Sequence, residues 1–445
     1  MLTAWCFAVA FFTPWVVGAP VYWLMRGGRA LRGPDWLWVP FIGLAAIVVP
    51  LQNVTVYANL PLARSVPWYW AGFGALLTLF IAHPAGRASL RAIPKRVVLL
   101  STTAYLLLGS GALLRGIENY RGQLQSDQFN YVVLAQYLMD EPFGMTWPQI
   151  GERPVVAIAM TFKGDRLGQS VLHGFFALTA GRDALEMFFP TIFLLAALSV
   201  PAVRLLAPRV GLFGRTAGLS ALVCALAPGA NILATLSYLS HALFIPVLVA
   251  FVAAVGQAAR RPRMQVHVCV LFVLGFALYT EFAPLMAGAA GAAALAARLS
   301  GRIGWGRAAA LVVVPMLALL VNPAACASAA AVAERAGQLG KQIEWGWLPI
   351  TNVLTAPWSI HTHPSVRWSQ LWFPCVCYSL SYVGWVRVWR AGHNVAEFGA
   401  VTALMVVPFV LVAVNPSAKY AVWKALSTTA PLFALGVCVL PPARR

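Results

Sequence analysis

Long apolar runs separated by short, arginine-bearing breaks organise this sequence from its second residue onward. A helix needs about 20 apolar residues to cross the hydrocarbon layer of a bilayer. Runs near that length recur at 2–25, 36–58, 66–83, 94–115, 184–206, 214–229, 232–256, 266–280, 282–299, 307–321, 369–388, 396–414 and 420–440. The pattern predicts an all-α, polytopic helical membrane protein with about 13 spans, several of them short or bounded by proline. A transmembrane β-barrel would instead show short alternating segments. No internal repeat or low-complexity linker divides the chain, so residues 1–445 read as a single transmembrane domain. The first run has no basic segment ahead of it and no convincing cleavage site, and reads as a retained span rather than a signal peptide.

Composition narrows the class further. The chain is 60% hydrophobic and only 10% charged, carries 17 Trp, 24 Phe and 12 Tyr, and has a mean hydropathy of +0.75. Soluble domains are nearer a quarter charged, so a soluble fold, a disordered chain and a disulfide scaffold are all excluded. The seven cysteines are scattered, mostly inside apolar runs, and read as buried free thiols. Cys375-x-Cys377 is too short a spacing to specify a metal.

The net charge of +19, from 32 Lys+Arg against 13 Asp+Glu, would point to nucleic acid in a soluble protein. Here it reads as the excess of cations in cytoplasmic loops, so no nucleic-acid partner is expected. Residues 167–181 are apolar but only 15 long, and their placement sets the topology downstream. If they are interfacial and the N-terminus is outside, 20 of the 32 cations fall in cytoplasmic loops and the C-terminus is cytoplasmic. If they span, 13 of those 20 move outside, against the charge bias. The expectation is therefore a multi-pass protein of the plasma (inner) membrane, N-terminus out. The abundant Arg and Ala with few Lys suggest a GC-rich bacterial genome. Eleven of the 13 acids then fall outside or at the outer boundary, leaving only Asp35 and Glu397 inside. Acids contribute little to topology, so their gathering on one side suggests a working site on the outer face.

Two outer segments are long enough to build such a site, 116–183 and 322–368. Residues 126–139 predict a helix, with Ser126 as N-cap and Asp127 in the first turn, where the helix dipole favours negative charge. Phe129, Val132, Val133, Gln136 and Tyr137 give it an amphipathic pattern suited to lying on the membrane surface. It should end at Asp140-Glu141-Pro142. Residues 167–181 form a second amphipathic piece. On spacing alone Asp127 reads as a helix-capping carboxylate.

Asp127-Gln128-x-x-Tyr131, placed just after an outward-going span, resembles the Asp-Glu-x-x-Tyr signature of GT-C glycosyltransferases. Protein O-mannosyltransferases and bacterial aminoarabinose transferases are nearest by motif. The resemblance covers the order of elements over about 94–440: span, acidic residue at a helix start, second interfacial helix, further spans. It implies an inverting, GT-C-like transferase of the cell envelope, active in cell-wall or polysaccharide biosynthesis. Such an enzyme moves a sugar from a polyprenyl-phosphate donor in the outer leaflet to a glycan, lipid or protein acceptor. Asp127 would be the catalytic general base, a role typically worth 10²–10⁴-fold. Some members of the family use a divalent metal such as Mg or Mn; with one acid in this motif, no metal ligands are assigned.

The departing phosphate calls for nearby positive charge. Lys419, Lys424, Arg121, Arg153 and His241 are the candidates for donor-phosphate binding. Glu281, Tyr131, Tyr279, Gln128 and Trp345 are the candidates for sugar or acceptor binding. Each also has a plainer reading. Lys424 can snorkel to the interface, Glu281 can be a turn carboxylate in water, His241 a satisfied buried histidine, and Trp345 an interfacial anchor. Two other functions fit the same composition. An O-antigen-ligase-like or polymerase-like transferase would rely on His361, His363 and Arg367 and not on Asp127. A lipid or sugar transporter (a flippase) usually carries internal repeats and midplane charges, which this sequence lacks.

Overall fold

The computed structural model describes residues 1–120, 126–144, 159, 167–227, 229, 233–234, 237–330, 350–358, 371–392, 394–415 and 419–440; at 126–127 and 420–421 the description covers the backbone alone. Among these residues the regular structure is entirely helical. That follows from the composition, because apolar surroundings leave backbone groups no partner but one another.

In chain order, α1 (Leu2–Met25) and α2 (Val39–Tyr57) form a hairpin, followed by α3 (Leu62–Ala82), α4 (Pro84–Arg91), α5 (Lys95–Leu108) and α6 (Ser110–Arg115). Next come α7 (Ser126–Asp140), α8 (Leu167–Ala180), α9 (Ala184–Ile192), α10 (Leu194–Leu206) and α11 (Gly214–Ala225). The remainder are α12 (Leu239–Arg260), α13 (Gln265–Leu278), α14 (Ala283–Leu299), α15 (Trp305–Leu317), α16 (Ile350–Thr355), α17 (Trp372–Arg390), α18 (Val395–Val414), α19 (Lys419–Thr428) and α20 (Ala430–Cys438).

Among the described residues, seven helices are long and apolar enough to cross a membrane: Leu2–Met25, Val39–Tyr57, Leu62–Ala82, Ala184–Val210, Leu239–Arg260, Thr280–Leu299 and Val395–Val414. An eighth is reached if Trp305–Val321 and Pro323–Ala330, bent by 97°, count as one broken span. The protein is thus multi-pass, with seven or eight candidate spans and not 13. The difference has local causes. The run at 94–115 breaks at Gly109 into α5 and α6, and the run at 420–440 breaks at Thr429 into α19 and α20. The runs at 214–229 and 266–280 make helices of only 12 and 14 residues. At 1.5 Å per residue those reach about 18–21 Å, short of a ~30 Å core.

Close helix crossings rest on glycine. A Cβ on Gly18 of α1 would stand 1.9 Å from the Val39 carbonyl oxygen, and one on Gly43 of α2 would stand 1.9 Å from that of Pro14. The α17–α20 crossing has the same device, since a Cβ on Gly384 would lie 1.9 Å from the Gly436 oxygen. Small residues let backbones approach where lipid and side chains are equally apolar, so that packing, not hydrophobicity, holds the helices together.

Most of the arginine-bearing loops meet at one end of the bundle, while Arg64, Arg115 and Arg182 lie toward the other. The Leu31 N–H donates to Ser89 Oγ at 2.8 Å and the Trp36 indole donates to the Ser89 carbonyl, tying the α1–α2 loop to α4. Arg26, Arg204, Arg261 and Arg263 line one shared cavity, and Arg260, Arg302 and Arg307 another. The other end is marked by the start of α1, where Thr3 Oγ accepts from the Ile117 N–H and the Trp5 indole donates to the Ala180 carbonyl at 3.0 Å.

That contact fixes what α8 does. Its last residue, Ala180, lies beside the start of α1, and its second, Gly168, packs on Ala277 near the end of α13. Both places belong to the end away from the arginines, so α8 begins and finishes on the same side and does not cross. The amphipathic surface helix expected at 167–181 is instead buried on nearly all sides; Leu167 through Ala177 are all inaccessible. Helix α7 packs against it, and its buried face carries Gln128, Tyr131, Leu134, Ala135 and Leu138, while Phe129, placed on the expected apolar stripe, is half exposed.

Candidate functional site

Residues at or near the starts of four helices, α7, α12, α14 and α19, come together at the end away from the arginine-lined cavities. Helix α7 starts at Ser126, as the N-cap pattern predicts, so Asp127 occupies its first turn; the side chain of Asp127 lies outside the described residues. The adjacent Gln128 is 5% exposed, and Ser237 Oγ reaches its Oε1 at 3.5 Å. Ser237 itself has φ +64°, a left-handed conformation uncommon for a residue with a Cβ. That turn leads directly into α12 and sets Tyr238 at the N-cap.

Tyr238 and His241 then face opposite partners. The Tyr238 ring lies 6.2 Å from Trp423 and 5.6 Å from the Lys424 ammonium, both on α19. The His241 ring, 1% exposed, packs edge-on against Tyr279 at 4.5 Å and against Phe282 at 5.2 Å. Tyr279 and Phe282, themselves 4.4 Å apart, form the turn that starts α14.

Lys424 is only 9% exposed. An ammonium in apolar surroundings is costly, less so near a helix end than at mid-span, and a cation over an aromatic face recovers about 0.5–2 kcal/mol. Helix α12 begins just after Tyr238, beside the Lys424 ammonium, and presents its positive dipole end here. A buried cation and a helix N-terminus together favour an anion such as phosphate.

Of the residues singled out from sequence, the structure therefore brings together Gln128, His241, Tyr279 and Lys424. Tyr131 is buried on the same face of α7 as Gln128. Lys419 is half-buried at the first residue of α19, and Glu281 is exposed although Tyr279 and Phe282 on either side of it are buried. Arg121, Arg153, Trp345, His361, His363 and Arg367 lie outside the described residues. Sequence reasoning missed Ser237, Trp423 and Phe282. The aromatic pair Trp423 and Phe282 carries no signal beyond its apolar neighbours, and a left-handed Ser cannot be read from residue type. Among the described residues no three His, Cys, Asp or Glu side chains gather to hold a metal, a set that excludes the Asp127 carboxylate. Comparison with protein-family models, curated proteins and solved structures finds no match.

Proposed function

We propose that this chain is an integral membrane glycosyltransferase that moves a sugar from a polyprenyl-phosphate donor to an acceptor on the outer face of the membrane. One observation carries the reading. A buried lysine, a buried histidine and two tyrosines converge with the first turn of the helix that bears Asp127. In this reaction the Asp127 carboxylate accepts the acceptor's O–H or N–H proton. The freed lone pair forms a bond to the anomeric carbon from the face opposite the phosphate, and the bond from that carbon to the phosphate oxygen breaks, inverting the centre. The electron pair leaves with the phosphate, whose charge Lys424 and the α12 N-terminus stabilise. Tyr279 and Gln128 offer hydroxyl and amide groups to the sugar. The excess of cations at the arginine end supports a cytoplasmic orientation for that end and, with it, an outer position for this cluster.

The test is transfer of radiolabelled sugar from a polyprenyl-phosphate donor by the full chain reconstituted in vesicles. Asp127→Asn should lower the rate by about 10²–10⁴ with expression intact. Unchanged transfer would defeat the assignment. Movement of the donor lipid across sealed vesicles without covalent change would replace it with transport.

A further inference from the structure

A second cavity, at the arginine end, is not used by that reaction. It has a volume of about 230 Å³ and is lined by five arginines, Arg26, Arg204, Arg209, Arg261 and Arg263. They come from three separate stretches, the end of α1, the end of α10 with the turn after it, and the turn following α12. The one carboxylate lining it, Asp35, is already engaged. It accepts from the Arg32 N–H at 2.9 Å and pairs with Arg26 at 3.2 Å. Five guanidiniums against one occupied carboxylate leave a strongly cationic hollow.

Topology alone does not ask for this. An excess of cytoplasmic cations is satisfied by arginines anywhere in the loops, and drawing five to one cavity adds mutual repulsion. The neighbouring arginine-lined cavity shows the contrast. There Arg260 is held by Glu397, Arg302 donates to the Gly392 carbonyl and Arg307 to that of Ala258. In the five-arginine cavity no side-chain hydrogen bond to a described residue holds the guanidinium of Arg209, Arg261 or Arg263. The floor is rigid. Tyr22 hydroxyl and His267 Nε2, both buried, are 2.8 Å apart, and Trp38 packs on the His267 ring at 4.7 Å. Leu37, Leu205 and Met264 line the same hollow, so apolar contact adjoins the charge.

We propose that this cavity binds the phosphodiester headgroup of an anionic phospholipid. Guanidinium forks match phosphate oxygens in pairs, and basic pockets among membrane helices are suited to such headgroups. A phosphate anion is the shared chemistry. The position at the ends of the spans, with an apolar wall, favours a lipid over a soluble ion. The inference does not depend on which reaction the opposite end performs.

The test is thermal melting of the delipidated, detergent-purified full chain with short-chain phosphatidylglycerol, short-chain phosphatidylcholine or inorganic phosphate. Phosphatidylglycerol should raise the midpoint saturably, and the other two should not. Arg209→Gln, Arg261→Gln and Arg263→Gln together should weaken that response about tenfold or more. A charge-matched set on the exposed α4–α5 surface, Arg87→Gln, Arg91→Gln and Arg96→Gln, should leave it intact. If the first set fails to fold, the three corresponding Arg→Lys changes keep the charge and lose the fork, and a severalfold weaker response is expected. No response to phosphatidylglycerol, an equal response to inorganic phosphate, an equal loss in the charge-matched set or an unchanged response in the Lys set would each overturn the proposal.

Discussion

Arg260 grips Glu397 with both terminal guanidinium nitrogens across 137 residues of sequence, Nη1 lying 3.1 Å from Oε2 and Nη2 bonded to Oε1. The Glu397 side chain is wholly buried, and the Arg260 side chain keeps 31% of its exposure. The pair joins the end of α12 to the start of α18 at the arginine end. Gly256, one turn earlier on α12, makes room for it, since a Cβ there would stand 2.1 Å from Glu397 Cδ. Removing one member strands a buried charge. Arg260→Ala should therefore lower stability by about 3 kcal/mol, and Gly256→Ala by about 1–3 kcal/mol through overpacking. Melting of the purified protein checks both. A double change, Arg260→Met with Glu397→Leu, should recover most of the loss, because no unpaired charge remains.

The α1–α2 hairpin gives a prediction of the opposite kind, in which no charge is involved. Gly18 and Gly43 each face a partner carbonyl at a distance no Cβ tolerates. Gly18→Ala or Gly43→Ala must push the helices apart, and the double change should abolish a monodisperse peak in size-exclusion chromatography. Ala on Gly72, where a Cβ meets nothing within 4 Å, is the control and should be neutral.

These contacts show where sequence reading stops. The start and end of α7 were legible because Ser126, Asp127 and Pro142 are punctuation of known meaning, and seven of the long apolar runs coincide with the seven candidate spans. The breaks at Gly109 and Thr429 were not legible, because a glycine or threonine inside an apolar run is compatible with an unbroken membrane helix. The burial of α8 was hidden for a related reason. Hydropathy separates water from oil, but in a membrane it does not separate lipid from protein, so a helix packed on all sides looks like one on the surface. In the site, Gln128, His241, Tyr279 and Lys424 were visible as polar types out of place. Their meeting depends on the left-handed turn at Ser237, which the residue does not announce.

Under the sugar-transfer reading, Lys424 is the group that meets the departing phosphate. Lys424→Met should cut transfer by about 10²–10³, the scale on which one positioned donor acts at a developing charge, with Lys424→Arg retaining part of the rate. Tyr238→Phe preserves the ring face under the ammonium and should leave the rate within about twofold. Tyr238→Leu removes a contact worth about 1 kcal/mol and should cost roughly fivefold. Labelled-sugar transfer normalised to folded protein reads all four.

Orientation can be read chemically. Glu118 lies beyond α6 at the end away from the arginines, Arg29 lies in the α1–α2 loop, and both are exposed. In a background with the seven native cysteines replaced, Glu118→Cys should react with a membrane-impermeant maleimide on intact cells. Arg29→Cys should react only after permeabilisation. The reverse pattern would turn the molecule over and place the Lys424 cluster in the cytoplasm.

His173 gives the protein an acid-sensitive joint between α8 and α9. Its ring is fully buried, and Nε2–H donates to the Ala184 carbonyl at 2.6 Å, which assigns the proton to that nitrogen. Burial disfavours the imidazolium and lowers the pKa from 6.5 to about 4, with the Ala184 hydrogen bond and the Asp183 carboxylate opposing. The unfolded chain then binds a proton at a higher pH than the folded one. Stability from this group is complete above pH 6.5, declines as pH falls through the interval to about 4, and is fully lost below it. The whole effect is about 3 kcal/mol at 1.36 kcal/mol per unit. His173→Gln preserves an N–H donor of similar reach and does not titrate, so it should flatten the acid limb of melting temperature against pH between 6.5 and 4 while costing little at pH 7.5. An acid limb as steep in His173→Gln as in the parent would assign the sensitivity to other groups.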